Sequence, residues 1–233
     1  MNKVFYINSI PCILYGKPSK GVYLYVHGQH SCKEAAEKFA DIVNIKGWQV
    51  LAIDLPEHGQ RKEDKTGFYA WNVVPELKDL LEYAKNNWRY IGLRAHSIGA
   101  YFSMMSYQGE LFENVQLVSP ILDMEKLCED MMMWASVTPM QLEKERFVQT
   151  DFGQILSWEE YCYAKEHPVV VWDSKTAIMY GAKDDLTTID TVKAFTSKFK
   201  CELKVFENGE HWFHTPEQLA ELQCWTEQVT PAL

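Results

Sequence analysis

No stretch of this sequence approaches the ~18–20 consecutive apolar residues that a membrane-spanning helix needs, and positive charge is in short supply. Its 233 residues carry 23 Lys and Arg against 32 Asp and Glu, for a net charge of −9 and a pI near 5.3. That balance argues against a nucleic-acid partner and against an anionic membrane surface. Met1–Tyr15 holds a single lysine and a short alternating apolar run that stops at Asn8 and Ser9, without a signal-peptide core. Six cysteines are present (Cys12, Cys32, Cys128, Cys162, Cys201, Cys224), but none pairs as Cys-x-x-Cys or sits at a metal-like spacing with histidine. Free thiols in a reducing cytoplasm are therefore expected, with no metal and no organic cofactor. Internal repeats and low-complexity linkers are also missing, which leaves one domain spanning 1–233.

What is present is apolar side chain: 47% of the residues are hydrophobic. A single domain of this length can bury ~70–75% of the surface its unfolded chain exposes. Short apolar runs alternate with helix-like segments for most of the length. The pattern predicts a hairpin from Val4–Ile7 and Ile10–Tyr15, then strands at Val22–Val26, Trp48–Ile53, Tyr90–Ala95, Val115–Val118, Ala177–Tyr180 and Leu203–Phe206. Helices are predicted over Cys32–Lys46, Tyr69–Lys85, Ser97–Tyr107, Thr188–Phe199 and Pro216–Val229. Such alternation belongs to an α/β fold, a mostly parallel sheet with helices on both faces.

Asp123–Ser174 departs from the alternation. Thr138-Pro139-Met140-Gln141 and Ser157-Trp158-Glu159-Glu160 both have capping-box spacing, the first with proline at its first helical position. The segment is rich in Met and aromatic residues, so a helical lid or cap over one end of the sheet is expected. Trp134, Met140 and Trp158 are its candidate substrate-binding residues, because an apolar pocket wall has this composition. The same side chains could equally serve only to fasten the insertion to the domain.

The residues with chemistry in them fall just after predicted strands. Around Ser97 the chain reads Arg94-Ala95-His96-Ser97-Ile98-Gly99-Ala100, a serine between small residues at a strand-to-helix junction. A nucleophile elbow needs that arrangement, because the strained serine must let neighbouring backbone approach closely. A serine hydroxyl requires a base, and the base requires an orienting carboxylate. Of seven histidines, His211 lies between the last predicted strand and the helix opened by the Thr215-Pro216-Glu217-Gln218 capping box, where ligand chemistry concentrates in open α/β sheets. His214 abuts that cap, and His96 should point away from its neighbour Ser97. For the acid, Asp184 follows the Ala177–Tyr180 strand and is preferred to Asp185, with Asp123 as an outside candidate. An oxyanion hole would draw one backbone N–H from Ile98 and a second from Gln29, in the His27-Gly28-Gln29-His30 loop.

With these pieces placed, the chain resembles the α/β-hydrolase superfamily over nearly its whole length. Leu24-Tyr25-Val26-His27-Gly28 resembles the oxyanion-strand signature of that family, and Asp54-Leu55-Pro56-Glu57-His58-Gly59 its D-x-P-x-H-G loop. Gly181 to Asp184 is similar to its acid turn, and Gly209-Glu210-His211-Trp212-Phe213 to its histidine loop. Ala95 stands where the G-x-S-x-G motif has its first glycine. The resemblance implies an eight-stranded sheet with strand two antiparallel, and a cap formed by the insertion. The resemblance supplies no substrate; the residues themselves are read as a serine esterase acting through an acyl-enzyme, with Ser97 as nucleophile, His211 as proton shuttle, Asp184 as orienting acid, and a small or medium, largely apolar acyl substrate. A serine rather than an aspartate at the elbow argues against dehalogenase-type chemistry. An amidase or peptidase-like activity, a C–C hydrolase and a non-catalytic ligand-binding module of the same fold remain alternatives, and oligomeric state is not legible.

Overall fold

The computed structural model describes residues 2–233. Strands β1 (Lys3–Ile7) and β2 (Ile10–Tyr15) form the opening hairpin, followed by β3 (Gly21–Val26). A 3₁₀ turn over Lys33–Ala36 leads into helix α1 (Glu37–Ile45), which gives way at Gly47, φ +93°, to β4 (Gln49–Ile53). The sequence pattern predicts one helix from Cys32. The structure instead keeps Cys32 extended and tightens the first turn, where Lys33 is drawn onto the buried carboxylate of Asp54. Helix α2 (Ala70–Asn87), strand β5 (Tyr90–His96), helix α3 (Ile98–Ser106) and strand β6 (Val115–Val118) follow as expected.

The insertion comes next. Helices α4 (Met124–Trp134), α5 (Pro139–Glu145) and α6 (Trp158–Glu166) flank a small antiparallel pair, β7 (Phe147–Gln149) and β8 (Ile155–Ser157). The chain closes with β9 (Thr176–Lys183), α7 (Ile189–Phe199), β10 (Glu202–Glu210) and α8 (Pro216–Val229). Thr138 and Ser157 do cap their helices, accepting from Gln141 N and Glu160 N, but only Thr215 with Gln218 completes the reciprocal box.

Eight strands make one sheet in the order β1-β2-β4-β3-β5-β6-β9-β10. The β1–β2 and β2–β4 pairings are antiparallel and all others parallel. Side chains alternate across it as a pleated strand requires. Along β3, Val22, Leu24 and Val26 enter the large core shared with α2, α3, α7 and the insertion, while Tyr23 and Tyr25 enter a second core with Phe39 and Val43 of α1. A third cluster joins Trp225 of α8 to Met179 of β9. The carboxyl ends of the parallel strands therefore share one edge, and the turns carrying Gln29, Ser97, Asp184 and His211 lie along it.

Candidate active site

Ser97 sits at φ +50°, ψ −125°, in the positive-φ region that residues with a Cβ seldom occupy. Three hydrogen bonds fix its backbone: Ser97 N donates to Val118 O at 3.0 Å, and its carbonyl accepts from Ala100 N at 3.0 Å and Ile121 N at 3.2 Å. The two small neighbours differ in need. A Cβ on Gly99 would overlap the His27 carbonyl oxygen and lie 2.9 Å from Val26 O, so the elbow packs directly on the end of β3. Ala95 is a buried mid-sheet residue paired with Val26 and Leu117, and a methyl group fits there.

The Ser97 hydroxyl lies 2.8 Å from His211 Nε2, and His211 Nδ1 lies 2.8 Å from Asp184 Oδ2. The carboxylate is wholly buried and the imidazole 16% exposed. Asp184 Oδ1 accepts from Leu186 N at 2.9 Å and Thr187 N at 3.0 Å, which pins the second oxygen toward the histidine. With Nδ1–H donated to a carboxylate, Nε2 is left free to accept the serine proton. The structure thus brings Ser97, His211 and Asp184 into one hydrogen-bonded line. Asp185 stays exposed beside it, and Asp123 caps α4 by accepting from Lys126 N. His214 donates to Trp212 O, and His96 accepts from Arg94 Nε at 3.1 Å rather than bonding Ser97.

The loop after β3 crosses directly above the serine: a Cβ added to Gly28 would lie 3.1 Å from Ser97 Cβ. Among the described residues no acceptor takes the Gln29 or Ile98 N–H. Two buried histidines hold this loop in place. His27 donates Nδ1–H to Gly28 O at 2.7 Å and accepts from Leu55 N at 3.1 Å; His58 donates to Pro56 O at 2.8 Å and accepts from His30 N at 3.0 Å. Burial pushes the His27 pKa down to about 4, so the ring stays neutral and keeps both bonds. Beneath them Asp54 is buried, paired with Lys33 Nζ at 2.6 Å and accepting from Gln60 N at 2.9 Å. Gly59 has no room for a side chain against that carboxylate.

A cavity of about 1010 Å³ holds Ser97 and His211. Exposed Gln29, His30 and Trp212 mark its mouth, and it continues between α1 and α8 to buried Tyr25 and Arg94. Trp134, Met140 and Trp158 are not in its wall. Met140 is 78% exposed, Trp134 stacks edge-on against Phe152, and Trp158 packs on Tyr161. The reason is that helices α4, α5 and α6 turn their apolar faces into the core or outward. The insertion reaches the cavity through the β7–β8 turn, where Gln154 and Gln29 exchange side-chain amide hydrogen bonds at 3.3 and 3.4 Å. Gln154 escapes a reading built on helical periodicity, though Asp151-Phe152-Gly153 is a turn signal, with Gly153 at φ +84°. Arg94, a charged residue inside an apolar strand, was the other available signal.

No family model and no curated protein matches the chain. Solved structures do. Est1E from Butyrivibrio proteoclasticus, with ferulic acid bound, superposes with a TM-score of 0.76 at 16% identity, covering 97% of this chain and 96% of that one. A monoacylglycerol lipase from Paleococcus ferrophilus gives 0.68 at 16% identity, over 95% of this chain and 98% of its own. Mouse alpha/beta hydrolase domain-containing protein 10 gives 0.73 at 11% identity, over 98% and 97%. Sheet order, elbow and neighbours agree: the chain has the α/β-hydrolase fold.

Proposed function

We propose that the protein is a serine hydrolase that cleaves carboxylic esters of small molecules, working in the cytoplasm without a cofactor. The observation that carries this reading is the unbroken line from the Ser97 hydroxyl through His211 to buried Asp184, each step 2.8 Å. His211 Nε2 takes the Ser97 proton as Oγ attacks the ester carbonyl. The resulting oxyanion is met by the Ile98 and Gln29 N–H groups, fixed dipoles aimed where negative charge develops. Asp184 holds the tautomer and stabilises the imidazolium. His211 then returns the proton to the departing alcohol, and a water attacks the acyl-enzyme by the same steps in reverse order. Esterase and lipase names among the structural neighbours favour an oxoester over an amide or a C–C bond.

A fluorophosphonate probe and a p-nitrophenyl acetate assay test the reading together. Labelling and hydrolysis by the wild type, both lost in Ser97→Ala, are expected. A wild-type protein that neither labels nor hydrolyses any ester would mark the fold as a binding module.

A further inference from the structure

The cavity that holds Ser97 ends on a charge with no partner. Arg94 is 2% exposed, yet no carboxylate lies within ion-pairing distance of it among the described residues. Its guanidinium is wedged between Phe39 of α1 and Trp225 of α8, 5.0 and 5.2 Å from their ring centres. Nε donates to His96 and Nη1 donates to Gln116 Oε1 at 2.9 Å and Thr226 Oγ1 at 3.3 Å. Every one of these acceptors is neutral. Burial alone lowers the Arg94 pKa, to about 10, so the side chain remains a cation at neutral pH. Nη2 has no acceptor from the protein, and Arg94 lines the cavity.

A buried cation that the protein does not neutralise is costly, and a ligand that brings the missing anion removes that cost. We propose that Arg94 recognises a carboxylate on the substrate, remote from the ester that Ser97 attacks. The inference rests on the hydrolase reading of Ser97. Charge balance selects a carboxylate over a phosphate, since one guanidinium matches one negative charge and the walls supply no second buried cation; Lys38 and Asp41 of α1, both exposed, line the cavity with opposite charges. Arg94 lies three strand residues before Ser97, about 10 Å along β5. Tyr25, Phe39 and His96 line the same cavity, and the two aromatic rings suit an aliphatic spacer. Half-esters of medium-length dicarboxylic acids place the carboxylate on the acyl side, and acyl esters of ω-hydroxy acids place it on the alcohol side.

The test compares kcat/KM for monomethyl esters of glutarate, adipate, pimelate and suberate with methyl alkanoates of equal length. A parallel series uses acetate esters of ω-hydroxy acids against acetates of the matching alkanols. One series should favour its anionic members by at least about 10-fold, the worth of a charge-assisted hydrogen bond. The series that responds identifies which side carries the carboxylate. Arg94→Gln should bring that ratio to about one, and Arg94→Lys should retain part of it. Anionic esters turned over no better than neutral ones in both series, or a preference unchanged in Arg94→Gln, would overturn the proposal. Should Arg94→Gln not fold, free dicarboxylates and diols of equal length compete against p-nitrophenyl acetate in the wild type. Stronger inhibition by the dicarboxylate supports Arg94 recognition, and equal inhibition refutes it. A protein inactive on every ester would refute the hydrolase reading alone, because calorimetric binding of adipate against hexanediol still decides the role of Arg94.

Discussion

The loops at the carboxyl edge of the sheet and the 123–174 insertion border the same cavity but are held by different forces. The loops are fixed by short polar ties with little freedom: His27 and His58 each bond backbone through both ring nitrogens, Asp54 binds Lys33, and Asp184 is clamped by two amides. The insertion is held mainly by packing, with Leu142, Leu156, Tyr161 and Ala164 entering the large core. It leaves Met133, Met140, Phe147 and Ile155 exposed. Polar ties set atomic positions, which catalysis requires; apolar burial gives stability while tolerating many arrangements.

If that contrast is right, the largest effects belong to the edge. Ser97→Ala and His211→Ala should each lower kcat by roughly 10⁴–10⁶, and the double variant by little more, since the pair acts as a unit. Steady-state kinetics on an activated ester checks this; additive losses would separate the two residues. Next comes the acid. Asp184→Asn should cost roughly 10³–10⁴ in kcat by disturbing the His211 tautomer, and Asp185→Asn less than about 2-fold.

The two regions should also respond to pH with opposite signs. His27 has its folded pKa lowered to about 4 from 6.5, so the unfolded chain binds a proton first. Its contribution to stability is whole above pH 6.5, falls as pH drops through that window, and amounts to about 3 kcal/mol at full loss. Glu160, in the insertion, is raised by burial to about 7 from 4.5, so its contribution is whole below 4.5 and is lost as pH rises to 7. Melting curves from pH 4 to 8 should show Glu160→Gln gaining on the wild type as pH rises, and His27→Gln gaining as it falls. The smallest effect is expected at Trp134, Met140 and Trp158. Polar substitutions there should change kcat/KM by less than about 2-fold, because none borders the cavity; a larger change would show the insertion closing over Ser97.

The same division decides what could be read from the sequence. Alternating apolar runs and capping residues marked every strand of the large sheet and most helices, because main-chain geometry restricts those residue types locally. Gly99 and Gly59 stand where side chains have no space and Gly28 where one would be tight, so the motif loops were legible too. The β7–β8 pair was not, since three-residue strands carry too little periodicity to outweigh neighbouring helix signals. Strand β10 runs past Phe206 to Glu210 through an irregular register that the pattern did not announce. The wall of the cavity was equally hidden. Which side chains line the cavity depends on helix rotation and packing, and composition alone pointed to Trp134, Met140 and Trp158 rather than to Tyr25, Arg94 and Gln154, which line it.

The backbone at Ser97 sets the requirements of folding against those of the chemistry. A residue with a Cβ held at φ +50°, ψ −125° costs of order 1–3 kcal/mol. Glycine would relieve that cost, less the ~0.5–1 kcal/mol it loses through the greater freedom of its unfolded chain. Directed evolution for heat resistance, run without an activity screen, should therefore accept Ser97→Gly and discard the hydroxyl proposed to attack the ester. In a lineage of this fold without hydrolysis to maintain, the elbow serine is a position that drift toward stability would erase.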